Sequence, residues 1–262
     1  MNMEDIIVQL MYTTAPIYVV TPENKIVTGT GFLFSVTQSE NSSILLYITD
    51  YGVVKDAISG YIELHMARSG KPTREVVRAE FDKSILKECK LGNLDLVALP
   101  IGTAIVELQN KNITVFYKSI DINLFPKEDE IEDLGPIEDI IFIGYPNFLY
   151  DKVNRIPVVK HGITATPIIN NYLGKEEFLI DEGTLPGFNG SPVFVYNRGI
   201  YPTKDGMTLG SRLMIVGILS QELQNKNMMT GTGLSVVTNY RALYRELNNY
   251  MLSKIGTSIE KK

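Results

Sequence analysis

The dominant pattern along the chain is a series of short apolar segments separated by turn-forming residues. Between residues 13 and 237 these segments recur at intervals of roughly 8–15 residues, and almost none shows the 3.6-residue period of a helix. Tyr, Phe, Ile and Val are frequent in them, and such side chains fit a half-buried pleated surface. The pattern predicts an all-β protein whose strands form a sandwich or a pair of barrels.

The two ends of the chain follow a helical pattern instead. Residues 3–11 predict a short N-terminal helix. The segment "VTNYRALYRELNNYMLSKI" (237–255) begins with Thr and Asn as caps and repeats apolar and aromatic residues three or four positions apart. This spacing predicts an amphipathic C-terminal helix with one face docked on the body of the protein.

An acidic segment divides the strand-rich region into two parts of similar size. It reads "FPKEDEIEDLGPIED" (125–139) and contains two prolines. We interpret it as a solvated connection, and the alternative interpretation is an acidic docking patch. The predicted organisation is an N-terminal helix and first barrel (1–124), an acidic connection (125–135), a second barrel (136–237), and a C-terminal helix and tail (238–262).

Charge and cysteine content exclude several classes of function. The formal charge of −5 and the absence of long Lys/Arg runs argue against a nucleic-acid partner. Cys89 is the single cysteine, so no intramolecular disulfide forms and a reducing compartment is expected. The N-terminal residues lack the features of a signal peptide, and no window reaches 18 apolar residues. We therefore expect a cytoplasmic protein with no membrane partner.

Five segments, taken in chain order, resemble the trypsin-like (chymotrypsin-fold) serine peptidases, especially their bacterial intracellular relatives. They are "GTGFLF" (29–34), "YITDYGVVKDA" (47–57), "NLDLVALPI" (93–101), "IFIGYPN" with "RIPVVKHGI" (141–163), and "PGFNGSPVF" (186–194). The resemblance implies two antiparallel six-stranded β-barrels packed face to face, with a short helix at the N-terminus and another at the C-terminus. The cleft between the barrels would hold the functional site.

The resemblance also assigns the three positions of the catalytic triad. In that family a serine attacks, a histidine accepts its proton, and an aspartate orients the histidine. The base position falls on Gly52, the acid position on Asp95 and the nucleophile position on Asn189, so the acid alone is retained. The oxyanion donors would be the backbone amides of Gly187 and Asn189.

These two substitutions remove the chemistry of peptide hydrolysis. The carboxamide of Asn189 is a poor nucleophile and a poor base, and Gly52 has no side chain. We therefore predict an inactive homologue, a pseudopeptidase, that binds a peptide or protein partner in the cleft by strand addition. The alternative is a functional serine endopeptidase, or an inactivated form of one, and a third class is a structural or regulatory module.

Other residues offer weaker candidates for catalysis. Ser191 lies two positions beyond the nucleophile position and would begin a strand that points elsewhere. His65 lies in an alternating strand pattern and is interpreted as an ordinary strand histidine. His161 precedes Gly162 in the second half and could approach the cleft, but without a nucleophile it has no evident role as a base. Cys89 has no histidine at a recognisable spacing, which indicates a structural or surface thiol.

The turn around Asn189 and the retained acid each have a simpler explanation. Asn-Gly is a favoured turn pair, so Phe188, Asn189 and Gly190 alone would indicate only a hairpin. The resemblance to the peptidase turn comes from the residues on both sides of these three. Without an imidazole partner, Asp95 is expected to be partly buried and to accept hydrogen bonds from amides of residues 52–55 or from the Tyr51 hydroxyl.

Metal and cofactor sites are not expected. Two distant histidines and one cysteine provide no zinc spacing, and the short glycine pairs lie in strand patterns without the helix of a phosphate loop. The sequence does not indicate the oligomeric state.

Overall fold

The first half of the chain folds into one antiparallel sheet. The structure is a computed structural model, and it describes residues 3–39, 42–86, 88–147, 149–183, 185–222, 232–256 and 258–259. After helix α1 (Ile6–Met11), the strands are β1 (Thr14–Val20), β2 (Ile26–Ser39), β3 (Ser42–Asp50), β4 (Ser59–Arg68), β5 (Lys71–Asp82), β6 (Leu96–Pro100) and β7 (Val115–Phe116). Their hydrogen-bonded order is β5-β4-β1-β2-β3-β6, and β7 pairs with β4.

Tight turns with left-handed backbone connect neighbouring strands of this sheet. In the turn between β1 and β2, Asn24 has φ +59°. In the turn between β4 and β5, Ser69 and Gly70 have φ of +50° and +73°. Such a pair of positive angles matches the twist of the flanking strands, which is why short hairpins use them.

The second half closes into a barrel of six antiparallel strands. These are β8 (Asp139–Gly144), β9 (Val158–Thr164), β10 (Glu177–Asp181), β11 (Pro192–Thr203), β12 (Gly206–Glu222) and β13 (Ser235–Asn239). The order around the barrel is β10-β13-β12-β11-β8-β9. The start of β11 lies between β8 and β12, so the turn that precedes it is anchored on both sides.

Alternating side chains of β2 join the two halves. Leu33 packs into the hydrophobic cluster inside the first sheet. Phe32 and Phe34 point to the opposite face and pack in a second cluster that contains residues of the barrel, such as Phe142 and Phe194. Because successive side chains of a strand point to opposite faces, one strand contributes to both clusters.

The C-terminal helix α6 (Tyr240–Ile255) lies where the sequence predicts it. The side chain of Asn239 accepts a hydrogen bond from the Arg241 amide at 3.0 Å, and Gly256 ends the helix with φ +73°. Its inner face is fully buried and contributes Leu243, Leu247 and Met251 to the core. Capping at both ends and one buried face explain a stable helix of this length.

The prediction of an all-β fold with two sheets and a helix at each end is confirmed. Two details differ. The first sheet has seven strands, because β7 adds a short pair to β4. Four further helices, which the sequence analysis did not predict, are α2 (Tyr51–Val54), α3 (Lys83–Leu86), α4 (Gly102–Asn110) and α5 (Glu128–Glu132). Elements this short depend on tertiary packing, so their sequence period is a weak signal.

Candidate functional site

The turn that carries Asn189 is fixed by backbone hydrogen bonds to both halves of the protein. The Thr30 amide of β2 donates to the Asn189 carbonyl at 3.1 Å. The Gly190 amide donates to the Leu219 carbonyl of β12 at 2.8 Å. A buried turn whose polar groups are paired in this way holds a single conformation.

Glycine is required at two positions of this turn. Gly187 has φ +100° and Gly190 has φ +90°, angles that side chains with a Cβ rarely adopt. A Cβ on Gly187 would also lie 2.7 Å from the Tyr145 carbonyl oxygen, and one on Gly190 would contact the Thr30 carbonyl. The turn is therefore pressed against the first sheet and the loop after β8.

Two amides of the turn have no acceptor. The backbone N–H groups of Gly187 and Asn189 make no hydrogen bond to any residue that the structure describes. They are the two amides expected from the sequence to bind an oxyanion. Such donors can hold a carbonyl oxygen or an anion when a ligand supplies one.

The base position lies at the second residue of α2. The carboxylate of Asp50 caps this helix and accepts a hydrogen bond from the Gly52 amide at 2.7 Å. A Cβ added at Gly52 would lie 2.8 Å from the Asp50 Oδ1 atom. The carboxylate of Asp50 therefore occupies space that a larger residue at position 52 would need.

Asp50 is the residue of this site that the sequence analysis missed. Its side chain is buried, and burial raises the pKa of its carboxyl to about 7. The Gly52 amide lowers this pKa, the charge of Asp95 raises it, and the charge of Lys55 lowers it. The available signal was an Asp before a short helix, a typical N-cap.

Asp95 differs from its expected environment. Its side chain is exposed, and its carboxylate accepts no hydrogen bond from the described residues. It meets α2 through the backbone instead, because the Tyr51 amide donates to the Asp95 carbonyl at 2.8 Å. Since Asp50 already accepts from the Gly52 amide, that donor is not available to Asp95.

The three positions predicted from separate segments line one cleft between the two halves. This inter-barrel cleft has a volume of about 620 Å³. Its lining is rich in polar and charged side chains and comprises Asp50, Tyr51, Gly52, Lys55, Asn93, Leu94, Asp95, Lys175, Glu176, Glu177, Asn189, Ser220, Gln221, Val236 and Thr238. Two hydroxyls, Ser220 and Thr238, lie 2.9 Å apart within it. None of the described lining residues is a histidine.

The turn residues beside Asn189 do not face this cleft. Phe188 is fully buried and packs edge-on against Phe142, with ring centroids 5.2 Å apart. Ser191 is also fully buried, and a Cβ on Gly144 would contact its hydroxyl. The Ser191 hydroxyl therefore points into the barrel and is not placed to attack a ligand.

The two histidines and the cysteine lie away from the cleft. The ring nitrogens of His65 lie 2.7 and 2.9 Å from the carbonyl oxygens of Thr73 and Arg155. His161 is exposed on β9, with its Nε2 atom 3.4 Å from an Asp139 carboxylate oxygen. Cys89 is buried, and burial raises the pKa of its thiol, so it is a poor nucleophile.

Metal-binding clusters and membrane spans are absent from the described part of the chain. No group of three or more His, Cys, Asp or Glu residues there is arranged to hold a metal ion. No described helix is long and apolar enough to cross a membrane.

Solved structures match this chain at low sequence identity. Deg5 superposes with a TM-score of 0.54 at 14% identity, over 98% of this chain and 99% of Deg5. A serine endoprotease from Yersinia pestis has a TM-score of 0.52 at 15% identity, over 94% of this chain and 65% of that protein. The HtrA-type protease AlgW with a tripeptide has a TM-score of 0.50 at 15% identity, over 96% of this chain and 63% of AlgW.

These matches establish the class of fold. The chain has the trypsin-like serine protease fold, and it spans less than two thirds of the length of the Yersinia protein and of AlgW. No protein-family model and no curated protein matches the sequence.

Proposed function

We propose that this protein is a trypsin-like serine peptidase homologue without peptidase activity, which binds an extended segment of a peptide or protein in the inter-barrel cleft. The observation that carries the proposal is the turn at Asn189. Its two amides, of Gly187 and Asn189, lack acceptors among the described residues, while the nucleophile and base positions hold Asn and Gly. The binding groups of a peptidase site are thus present without its reactive groups.

The residues that line the cleft support the absence of peptide hydrolysis. Asn189 has no ionisable or nucleophilic group, and the described lining has no imidazole to accept a proton. In subtilisin, loss of the catalytic serine alone lowers kcat by about 10⁶, and what remains comes from binding and the oxyanion hole. The two turn amides without acceptors among the described residues are groups of this kind.

Binding requires only the parts of the site that remain. A carbonyl oxygen of a bound chain can accept hydrogen bonds from the two turn amides, and strand-like ligands gain affinity from main-chain hydrogen bonds. Ser220 and Gln221 of β12 line the same cleft, which brings a strand beside the turn.

Selection from a random library of 12-residue peptides tests the proposal. We expect the protein to enrich peptides that it returns intact by mass spectrometry. The variant Asn189→Arg should weaken their binding at least about tenfold, because its side chain fills the cleft. The matched control Asn170→Arg changes an exposed residue outside the cleft and should bind as the wild type does. Cleavage of the selected peptides, or equal binding by Asn189→Arg, would contradict the proposal.

A further inference from the structure

A second cavity extends from the other side of Asn189. It has a volume of about 420 Å³, and its lining includes Gly52, Gly187 and Asn189 together with Thr28 and Asn147. Thr28 and Asn147 also line a third cavity, of about 270 Å³. The three cavities therefore lie next to one another, the first two on either side of Asn189 and the second two on either side of Thr28 and Asn147.

Tyrosine rings form the walls of the third cavity, which we call the tyrosine pocket. Its lining is Pro16, Tyr18, Ile26, Thr28, Gly29, Tyr145, Asn147, Tyr150 and Lys152. The hydroxyls of Tyr18 and Tyr150 lie 2.9 Å apart, which closes one side. The rings of Tyr145 and Tyr150 meet edge to face, with centroids 5.2 Å apart. Tyr18 is stacked on Tyr61 at 4.9 Å behind this wall.

The loop that carries the pocket is attached to the turn at Asn189. The Asn147 amide donates to the Pro186 carbonyl at 2.8 Å, and Thr28 and Asn147 are in hydrogen-bond contact. The Tyr145 amide donates to the Thr30 hydroxyl at 2.8 Å, and that hydroxyl donates to the Gly187 carbonyl. The pocket and the turn are thus held in one fixed arrangement.

The charges around the pocket do not favour a cationic guest. Glu63 is an acid that lines a small adjoining cavity with Tyr145 and Tyr150. Its carboxylate already lies 3.7 Å from Arg78 and 3.6 Å from Arg155. An uncharged side chain therefore fits this site better than Lys or Arg.

Exposed apolar side chains lie on the segments that form the pocket. Ile26 lines the pocket and is 64% exposed. Leu149 and Val153, in the same loop as Tyr150, are 61% and 70% exposed. Apolar residues exposed together beside a pocket indicate a surface that a ligand covers.

We propose that the tyrosine pocket receives an aromatic side chain of the same extended chain that occupies the inter-barrel cleft. The inference rests on the proposed function and adds the chemical class of the ligand. Tyrosine walls offer ring faces and edges to an aromatic guest, and such pairs contribute more than their buried area alone. The carboxylate of Glu63 is already ion-paired and so offers little attraction to a basic residue, and the hydrogen bond from Asn147 to Pro186 attaches the pocket to the turn.

A small probe tests the pocket without any peptide in the cleft. We expect N-acetyltyrosinamide to shift the amide resonances of Asn147 and Lys152, with an affinity at least about fivefold above that of N-acetylleucinamide. Tyr150→Ala should abolish the shifts and Tyr150→Phe, which keeps the ring, should retain them. Tyr172→Ala, outside the pocket, is the matched control. Equal affinities for the two probes, or no shift in the wild type, would overturn the inference.

The peptide selection separates this inference from the proposed function. Peptides selected by the wild type should share Phe, Tyr or Trp at one position, and those selected by Tyr150→Ala should lose that preference. If Asn189→Arg weakens the binding of the selected peptides but these peptides show no aromatic preference, the inference fails and the proposed function stands. If no peptide is selected at all, both fail.

Discussion

Asp50 determines what the base position can accommodate. Its carboxylate caps α2 and lies against the space where a side chain at position 52 would begin. A histidine there would displace the carboxylate and remove the acceptor of the Gly52 amide. A side chain at position 52 therefore requires the Asp50 carboxylate to shift.

The same residue makes stability depend on pH. The folded pKa of Asp50 is raised from 3.8 to about 7, so between these values the unfolded chain releases a proton that the folded protein keeps. Rising pH therefore destabilises the fold, by on the order of 4 kcal/mol if the whole shift is expressed. Asp50→Asn keeps an acceptor for the cap and does not ionise.

We therefore expect Asp50→Asn to gain stability relative to the wild type as the pH rises from 5 to 7.5. Urea unfolding at several pH values measures this difference. The control Asp56→Asn changes an exposed carboxylate and should follow the wild type. Parallel pH profiles for the wild type and Asp50→Asn would show that Asp50 is not buried as described.

At the scale of elements, the turn at 186–191 is the part of the site that the sequence predicts best. Two glycines, an Asn-Gly pair and a following apolar strand restrict the backbone strongly, so their spacing indicates the turn directly. The position of Asp95 was predicted less well. The environment of Asp95 depends on which side chain caps α2. That side chain belongs to Asp50, the last residue of β3.

The short helices show the same limit. The long C-terminal helix has several turns of period and two caps, so its sequence identifies it. Helices α2 and α3 have four residues each, too few to show a period. The tyrosine pocket was also not predicted, because its residues come from strands β1 and β2 and from the loop after β8 and meet only in the folded protein.

Gly187 in the turn should tolerate substitution much less than a glycine of similar φ elsewhere in the protein. Gly187→Ala places a Cβ 2.7–2.8 Å from backbone atoms of Tyr145 and Asn147, at φ +100°. Gly199 has a similar φ of +91°, but open space lies where its Cβ would stand. We expect Gly199→Ala to cost about 1–2 kcal/mol from backbone strain, and Gly187→Ala roughly 2 kcal/mol more. Chemical denaturation checks this, and equal costs would contradict the described packing of the turn.

Across the whole molecule, Thr30 connects the two halves at the site. Its amide donates to the Asn189 carbonyl, and its hydroxyl donates to the Gly187 carbonyl at 2.6 Å. Its own carbonyl accepts from the Thr49 hydroxyl at 2.6 Å, next to Asp50. The first sheet therefore supports the turn of the second barrel directly. Thr30 therefore contributes to holding the two sides of the inter-barrel cleft in register.

Because this support is intact, we expect the cleft to keep its geometry although it lacks reactive groups. The combined variant Asp50→Ala, Gly52→His and Asn189→Ser restores a base and a nucleophile and removes the carboxylate that obstructs the base. A matched control carries Asn189→Ala in place of Asn189→Ser, with the other two changes.

Labelling with a fluorophosphonate, which reacts with activated serines, is the most direct measurement of this claim. We expect no label on the wild type or the Asn189→Ala control, and a covalent adduct at position 189 in the folded Asn189→Ser combination. An adduct on the wild type, or none on a folded restored variant, would contradict it.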